Sequence, residues 1–142
     1  MEVSLVRNRL VRAVEAARER AQRRRIRTAE AESTYKAFLQ DVATPVARQL
    51  VNALKVEGYS FTLFTPGDGL RIASDRGRDD YIEFTLDTES DTPQVVGRIR
   101  QTRGSRTIDA ERPVKPGAPP AEVSEEDMLV FLLDALGPWL ER

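Results

Sequence analysis

The chain has 142 residues, no cysteine, no histidine and a formal net charge of −1. This length fits one ordinary domain, and 40% hydrophobic residues are enough to bury a core. Without cysteine the chain has no disulfide, thiolate metal site or thiol nucleophile. Without histidine it lacks the commonest general base and zinc ligand. We therefore predict that the protein is not an enzyme and uses no cofactor or metal.

The apolar runs are only a few residues long, whereas about 20 are needed to cross a bilayer. The opening "MEVSLVRNRLVRAVEAARER" is interrupted by charges every few residues, so it does not resemble a secretory signal. We expect a soluble, cytoplasmic protein with no membrane partner.

A long helix is predicted over residues 1–44, where glycine and proline are absent as far as Thr44 and strong helix formers dominate. An apolar seam recurs in alternating steps of four and three, which is a heptad-like pattern that fails only at Arg24. We interpret this segment as a coiled-coil-like extension or oligomerisation element. The seam residues predicted to form an interface are Leu10, Val14, Ala17, Ala21, Arg24, Tyr35 and Phe38.

Residues 17–27, "ARERAQRRRIR", contain six arginines. On a helical wheel these arginines flank both sides of the seam rather than forming one basic face. That arrangement favours a helix–helix interface, in which arginine stems cover apolar surface. The alternative is that they bind nucleic-acid phosphates together with arginines of the predicted sheet. The residues of this alternative are Arg20, Arg23, Arg24, Arg25, Arg27, Arg98 and Arg100.

The Thr44-Pro45 pair predicts an interruption of the first helix. Proline disfavours the α conformation of the residue before it, so we expect Thr44 to cap a second helix that starts at Pro45. This second helix runs to Glu57 and ends at Gly58. One helix kinked at Pro45 is the alternative.

Period-two patterns after Gly58 predict five strands separated by short turns. Short connections favour hairpins, hence an antiparallel meander. Ile82, Phe84 and Leu86 alternate with polar residues, so helices should cover only one face of the sheet. The predicted strands are residues 59–65, 70–74, 80–87, 94–102 and 106–112.

A final helix is predicted after the Pro-rich connector 115–123, with Ser124 as N-cap and Asp127 completing a capping box. This helix is apolar on nearly every side, which predicts burial between the sheet and a second helix from the same chain or a neighbour. Phe131, Leu132 and Trp139 are its predicted interface residues.

Three loop motifs suggest other chemistry, and each is better explained as a turn. The acidic loop Ser74 to Asp80 is too short for a catalytic cleft. Asp87, Glu89 and Asp91 have the spacing of a calcium loop, but its later glycine and glutamate positions are occupied by Thr92 and Arg98. The glycine-containing stretches 65–71 and 102–106 lie between strands, so they lack the helix N-terminus of a phosphate loop.

Charge is segregated along the chain. Residues 1–32 hold nine arginines and five glutamates, net +4, whereas residues 109–142 hold three bases and eight acids, net −5. The basic helix could therefore meet Glu125 to Asp127, in one chain or across a dimer, or bind an external polyanion.

Together these patterns predict an α+β fold with a compact domain over residues 45–142. The function we expect is non-enzymatic protein–protein interaction or assembly, as an adaptor or chaperone-like protein that associates through its helices. The partner is the protein itself, as a homodimer, or another protein. Nucleic-acid binding is the alternative.

Overall fold

The computed structural model describes residues 1–67, 69–77, 79–90 and 92–141. It confirms the predicted α+β fold with an antiparallel sheet. No helix in the described part of the chain combines the length and apolar character needed to cross a membrane. The elements in chain order are α1 (Val3–Phe38), a π-helical turn (Leu39–Ala43), α2 (Thr44–Val56), β1 (Phe61–Phe64), β2 (Leu70–Ser74), β3 (Tyr81–Asp87), β4 (Gln94–Arg103), β5 (Arg106–Pro113), a 3₁₀ turn (Pro120–Glu122), α3 (Glu125–Ala135) and α4 (Gly137–Leu140).

The chain divides into two units at Glu30, whereas the sequence prediction put the boundary at residue 44. The first unit, residues 1–30, is helical from Val3 onward. The second begins at Ala31 and contains the sheet and the other helices. Residues 31–44 belong to this second unit, and they contribute Tyr35 and Phe38 to its core.

Pro45 does not interrupt the helix. Thr44 is helical, with φ −65° and ψ −45°, and its N–H donates to the Leu39 carbonyl. The predicted N-cap at Thr44 is therefore wrong. That bond spans five residues, so the turn before Pro45 is a π turn with one residue more than an α turn. The wider turn accommodates a proline ring that would clash with the carbonyl four residues earlier in an ideal α-helix.

The sheet is the predicted meander, with strand order β1-β2-β3-β4-β5 and every pair antiparallel. The alternation also confirms the predicted faces. Ile82 and Ile99 are paired and buried on the inner face, and so are Phe84 and Gly97. The outer face carries cross-strand ion pairs, such as the one between Arg71 and Glu83 at 3.0 Å. Helices therefore have one apolar sheet face to cover.

α3 begins at the predicted capping box. Ser124 N–H donates to Asp127 Oδ2 at 2.9 Å, and Asp127 N–H donates to Ser124 Oγ at 3.1 Å. The helix reaches the sheet through Phe131, whose ring lies edge-on to Phe84 with centroids 5.6 Å apart. The sheet makes room for this ring at Gly97, where a side chain would occupy the same space. This contact fixes which side of α3 faces the core.

The first prediction concerns Gly97. In Gly97→Ala the added methyl would overlap the Phe131 ring and lie 3.2 Å from Cε1 of Phe84. We expect a loss of about 1–3 kcal/mol in unfolding free energy, as for other overpacked cores. Urea unfolding followed by the fluorescence of Trp139, the chain's single tryptophan, measures it.

The matched control is Gly77→Ala, where the new methyl would lie at an ordinary distance, 3.5 Å from Cγ of Asp80. Adding Phe131→Leu to Gly97→Ala should restore part of the lost stability, because the smaller side chain leaves space for the methyl. Equal destabilisation by both alanine variants would contradict this packing.

Candidate self-association surface

The predicted interface residues fall into two groups, and one group is buried. Tyr35, Phe38, Phe131, Leu132 and Trp139 all belong to the hydrophobic core of the second unit. Tyr35 stacks on Phe38 with ring centroids 6.2 Å apart, and Trp139 packs edge-on against Phe61 at 5.8 Å. These five side chains hold the compact unit together. Their predicted role as interface residues is therefore replaced by a role in the core.

The other group lies in residues 1–30 and is largely exposed. Leu10 has 61% of its surface exposed and Val14 has 37%, while Ala17 and Arg24 are exposed and Ala21 is half-buried. Val3 and Val6 add exposed apolar surface to the same helical stripe. Thus the seam that is buried at Tyr35 and Phe38 is uncovered over its N-terminal part. Most helical stability in proteins comes from packing such a stripe.

The arginines of this helix have no acidic partner within their own unit. Within residues 1–30, all of which the structure describes, no side-chain ion pair forms. Arg25 donates from Nη2 to Gln22 Oε1 at 2.9 Å, which leaves its charge uncompensated. The basic residues predicted to contact a polyanion are therefore exposed and locally unneutralised. They are Arg20, Arg23, Arg24, Arg25 and Arg27.

Arg98 and Arg100, the two sheet arginines predicted to contact phosphates, are less exposed to a ligand than the arginines of α1. Arg98 donates from Nε and Nη2 to the two carboxylate oxygens of Asp109, at 3.0 and 2.7 Å. This pairing lowers the pKa of Asp109 and raises the pKa of Arg98. Arg100 is half-buried and lies opposite Tyr81 and Asp109 across the strands. This cross-strand ion pair neutralises Arg98, which weakens its case as a phosphate contact.

The outer side of α3 is a second exposed apolar surface. The sheet covers one side of this helix as predicted, but Val130 is 58% exposed, Leu133 49% and Leu129 40%. α2 contacts this helix from the same chain, so the predicted second helix is present, and these three residues remain uncovered in the single chain. Sequence reasoning chose Phe131 and Leu132 and missed these three residues. A signal was present in the sequence, because Glu126 lies on the same side of the helix as Leu129, Val130 and Leu133, and a charged residue indicates an exposed side.

The surroundings of this α3 face are acidic. The sequence has no lysine or arginine between Pro116 and Glu141. Asp127 is held by the Ser124 backbone N–H, which lowers the pKa of its carboxyl, and Lys115 Nζ lies 3.4 Å away. Asp134 is paired with Arg112. Glu125 and Glu126 are exposed in the first turn of α3, and the other acids of this stretch are Glu122 and Glu141.

The loop carboxylates considered for catalysis have structural roles. Asp75 accepts hydrogen bonds from the Ser60 hydroxyl and, at 2.6 Å, from the Thr62 hydroxyl. Asp80 is buried and accepts from the Thr102 backbone N–H at 2.8 Å and from Trp139 Nε1 at 3.4 Å. Both carboxylates therefore brace neighbouring strands and helices. Arg78 of the same loop and Asp91 of the calcium-like spacing lie outside the described residues, as does Asp68 of the first glycine-containing stretch.

The second prediction is a pH profile of stability. Hydrogen bonds from Ser60, from Arg98 and from the Ser124 backbone lower the folded-state pKa values of Asp75, Asp109 and Asp127, respectively. A lowered folded pKa contributes stability above the unfolded value of about 3.9, and this contribution is lost as pH falls through the folded pKa. Unfolding free energy should therefore fall below about pH 4.

Between about pH 5 and 7 the stability should be flat, because the chain has no histidine to titrate there. Urea melts at a series of pH values measure the profile. Asp127→Asn keeps the side-chain size but removes one titrating group, so its acid limb should be shallower. A step in stability near pH 6 is the result that this account does not allow.

Comparisons with protein-family models, curated proteins and solved structures found no match to this chain. The exposed face of α1 and the acidic, partly apolar outer face of α3 are the candidate functional surfaces of the chain. Both are surfaces suited to contact with another macromolecule, and neither places an acid, a base and a nucleophile together.

Proposed function

We propose that the protein is a non-enzymatic assembly protein that self-associates through residues 3–28 of α1. The observation that carries this proposal is the exposed seam around Leu10 and Val14, on a helix whose later seam residues are buried in a core. Contiguous apolar surface with a polar rim is typical of protein interaction sites. An adaptor or chaperone-like role fits a chain with one compact unit and one helical unit whose apolar stripe is exposed.

The composition of the seam supports a reversible association. Leu10 and Val14 supply large apolar surfaces, but Ala17 and Ala21 bury little area, and burial contributes only about 25 cal/mol per Å². Arg24 inside the seam lowers affinity further, while a polar seam residue helps to specify partner and register. The flanking arginines keep their charges in water while their stems cover the seam edges.

The third prediction compares two leucines of α1. In Leu10→Glu a charge enters the seam, so we expect association to weaken by about tenfold or more, because an unpaired charge is costly to bury. Leu5→Glu is the matched control: it is the same change on the same helix, at a residue 44% exposed but outside the seam. Light scattering across a concentration series measures both. A monomer at all concentrations, or equal loss in both variants, would contradict the proposal.

Nucleic-acid binding is the second candidate, and the unneutralised arginines of α1 favour it. Phosphate contacts make the logarithm of the affinity fall linearly with the logarithm of salt concentration, by about 0.9 per phosphate neutralised on duplex DNA.

The fourth prediction concerns binding to a mixed-sequence DNA duplex. If α1 binds phosphates, the affinity for this duplex should fall steeply as the salt concentration is raised. Replacing Arg20, Arg23 and Arg27 with glutamine should then make the slope shallower by up to about three.

Replacing Arg98 with glutamine is the matched control, because Asp109 already neutralises this arginine. Its slope should equal that of the unmodified chain. Absence of binding at low salt, together with self-association, would reject this second candidate in favour of the first.

A further inference from the structure

We infer that the part of the α1 seam from Ala17 to Arg24 in one copy is covered by the outer face of α3 in a second copy, with the two helices antiparallel and Arg24 beside Glu126. This inference rests on the proposed function, because it names the partner surface of the same seam. It uses two faces of one chain, the α1 seam from Ala17 to Arg24 and the exposed side of α3 from Glu126 to Leu133.

The two faces have opposite charge. The α1 seam is flanked by Arg18 and Arg25 on one side and by Arg20 and Arg27 on the other, and residues 1–32 carry a net +4. The outer face of α3 lies in a stretch of six acids, of which Asp127 and Asp134 are paired with Lys115 and Arg112, while Glu125 and Glu126 are exposed. Contact between these faces brings basic and acidic groups together around apolar centres, which favours both affinity and orientation.

The sizes of the apolar residues are also complementary. The exposed α3 face presents two leucines and a valine, whereas the middle of the α1 seam presents Ala17 and Ala21. Large side chains opposite small ones allow two helices to approach closely and interdigitate. Two copies of the alanine segment facing each other would instead bury little apolar area.

The spacings match in one direction. Counting backwards from Arg24, Ala21 and Ala17 lie three and seven residues away. Counting forwards from Glu126, Leu129 and Leu133 also lie three and seven residues away. Antiparallel helices with Arg24 level with Glu126 therefore place Ala21 level with Leu129 and Ala17 level with Leu133. The charged pair then continues the line of the apolar contacts on each helix.

Pairing of α1 with α1 of a second copy is less favourable. It brings together two helical segments that each carry the arginines of residues 17–27, so like charges face one another. By contrast, the proposed dimer is reciprocal, with α1 of each copy covering α3 of its partner, so that the same contact forms twice.

The fifth prediction tests this exchange by complementation. Ala17→Glu places an acid where the acidic α3 face should lie, and Leu133→Arg places a base where the basic α1 should lie. A homodimer of either variant carries the substitution in both of its α1–α3 contacts, so its self-association should weaken about tenfold or more. A mixture can form a heterodimer with one undamaged contact and one new Glu–Arg contact. We therefore expect mixing to restore association.

Matched controls are Ala16→Glu on α1 and Val56→Arg on α2, each on an exposed or half-exposed position outside the two faces. Both controls should associate as the unmodified chain does. Trp139 fluorescence verifies that each variant retains its folded core. If Leu133→Arg associates normally while Leu10→Glu does not, self-association stands and the α3 contact is overturned. If the unmodified chain is monomeric, the proposed function itself fails.

The register is tested by cross-linking, since the chain has no cysteine of its own. Under mild oxidation, a mixture of Ala17→Cys and Leu133→Cys chains should give a disulfide-linked heterodimer. Replacing Ala17→Cys with Ala16→Cys moves the thiol to another side of the helix and should reduce the yield at least about fivefold, because adjacent helical residues differ by about 100° in direction. Equal yields from the two mixtures would overturn the register.

Discussion

An apolar stripe on a helix is stabilising only where something covers it, and this constraint governs both units of the chain. Beyond Ala31 the stripe is satisfied, because Tyr35 and Phe38 lie in the core with the sheet and α3. Over residues 3–28 the same heptad-like stripe continues with Leu10 and Val14 exposed. The first unit thus leaves its apolar stripe exposed beside a set of arginines, and we propose that a second copy covers it.

The sheet determines which side of α3 is buried and which side stays exposed. Gly97 leaves space on the inner face for Phe131, and Cζ of Arg112 lies over this ring, 4.8 Å from its centroid. With Phe131 fixed in this position, Leu129 and Leu133 must point away from the core. A core contact therefore creates an external apolar face on α3. The acids around it follow from a helix start whose first turn favours carboxylates.

The strands, their order and the capping box at Ser124 were predictable, because each depends on local alternation, turn residues or capping chemistry. The π turn before Pro45 was not predictable, because a proline indicates a break in the helix equally well. In the structure the helix continues, with Ala43 and Ala47 buried on either side of Pro45. It was also not predictable which side of α3 faces the core. A helix apolar all round has no preferred direction until a specific contact, here Phe131 on Gly97, selects one.

Hydrogen exchange of residues 3–28 tests most directly whether this helix depends on a partner. At concentrations where the protein associates, these amides should exchange slowly, and Leu10→Glu should remove their protection while leaving the amides of β3 and β4 unchanged. Protection of residues 3–28 that is the same in the unmodified chain and in Leu10→Glu would contradict the account, because the helix would then be stable without the contact that its seam is proposed to make.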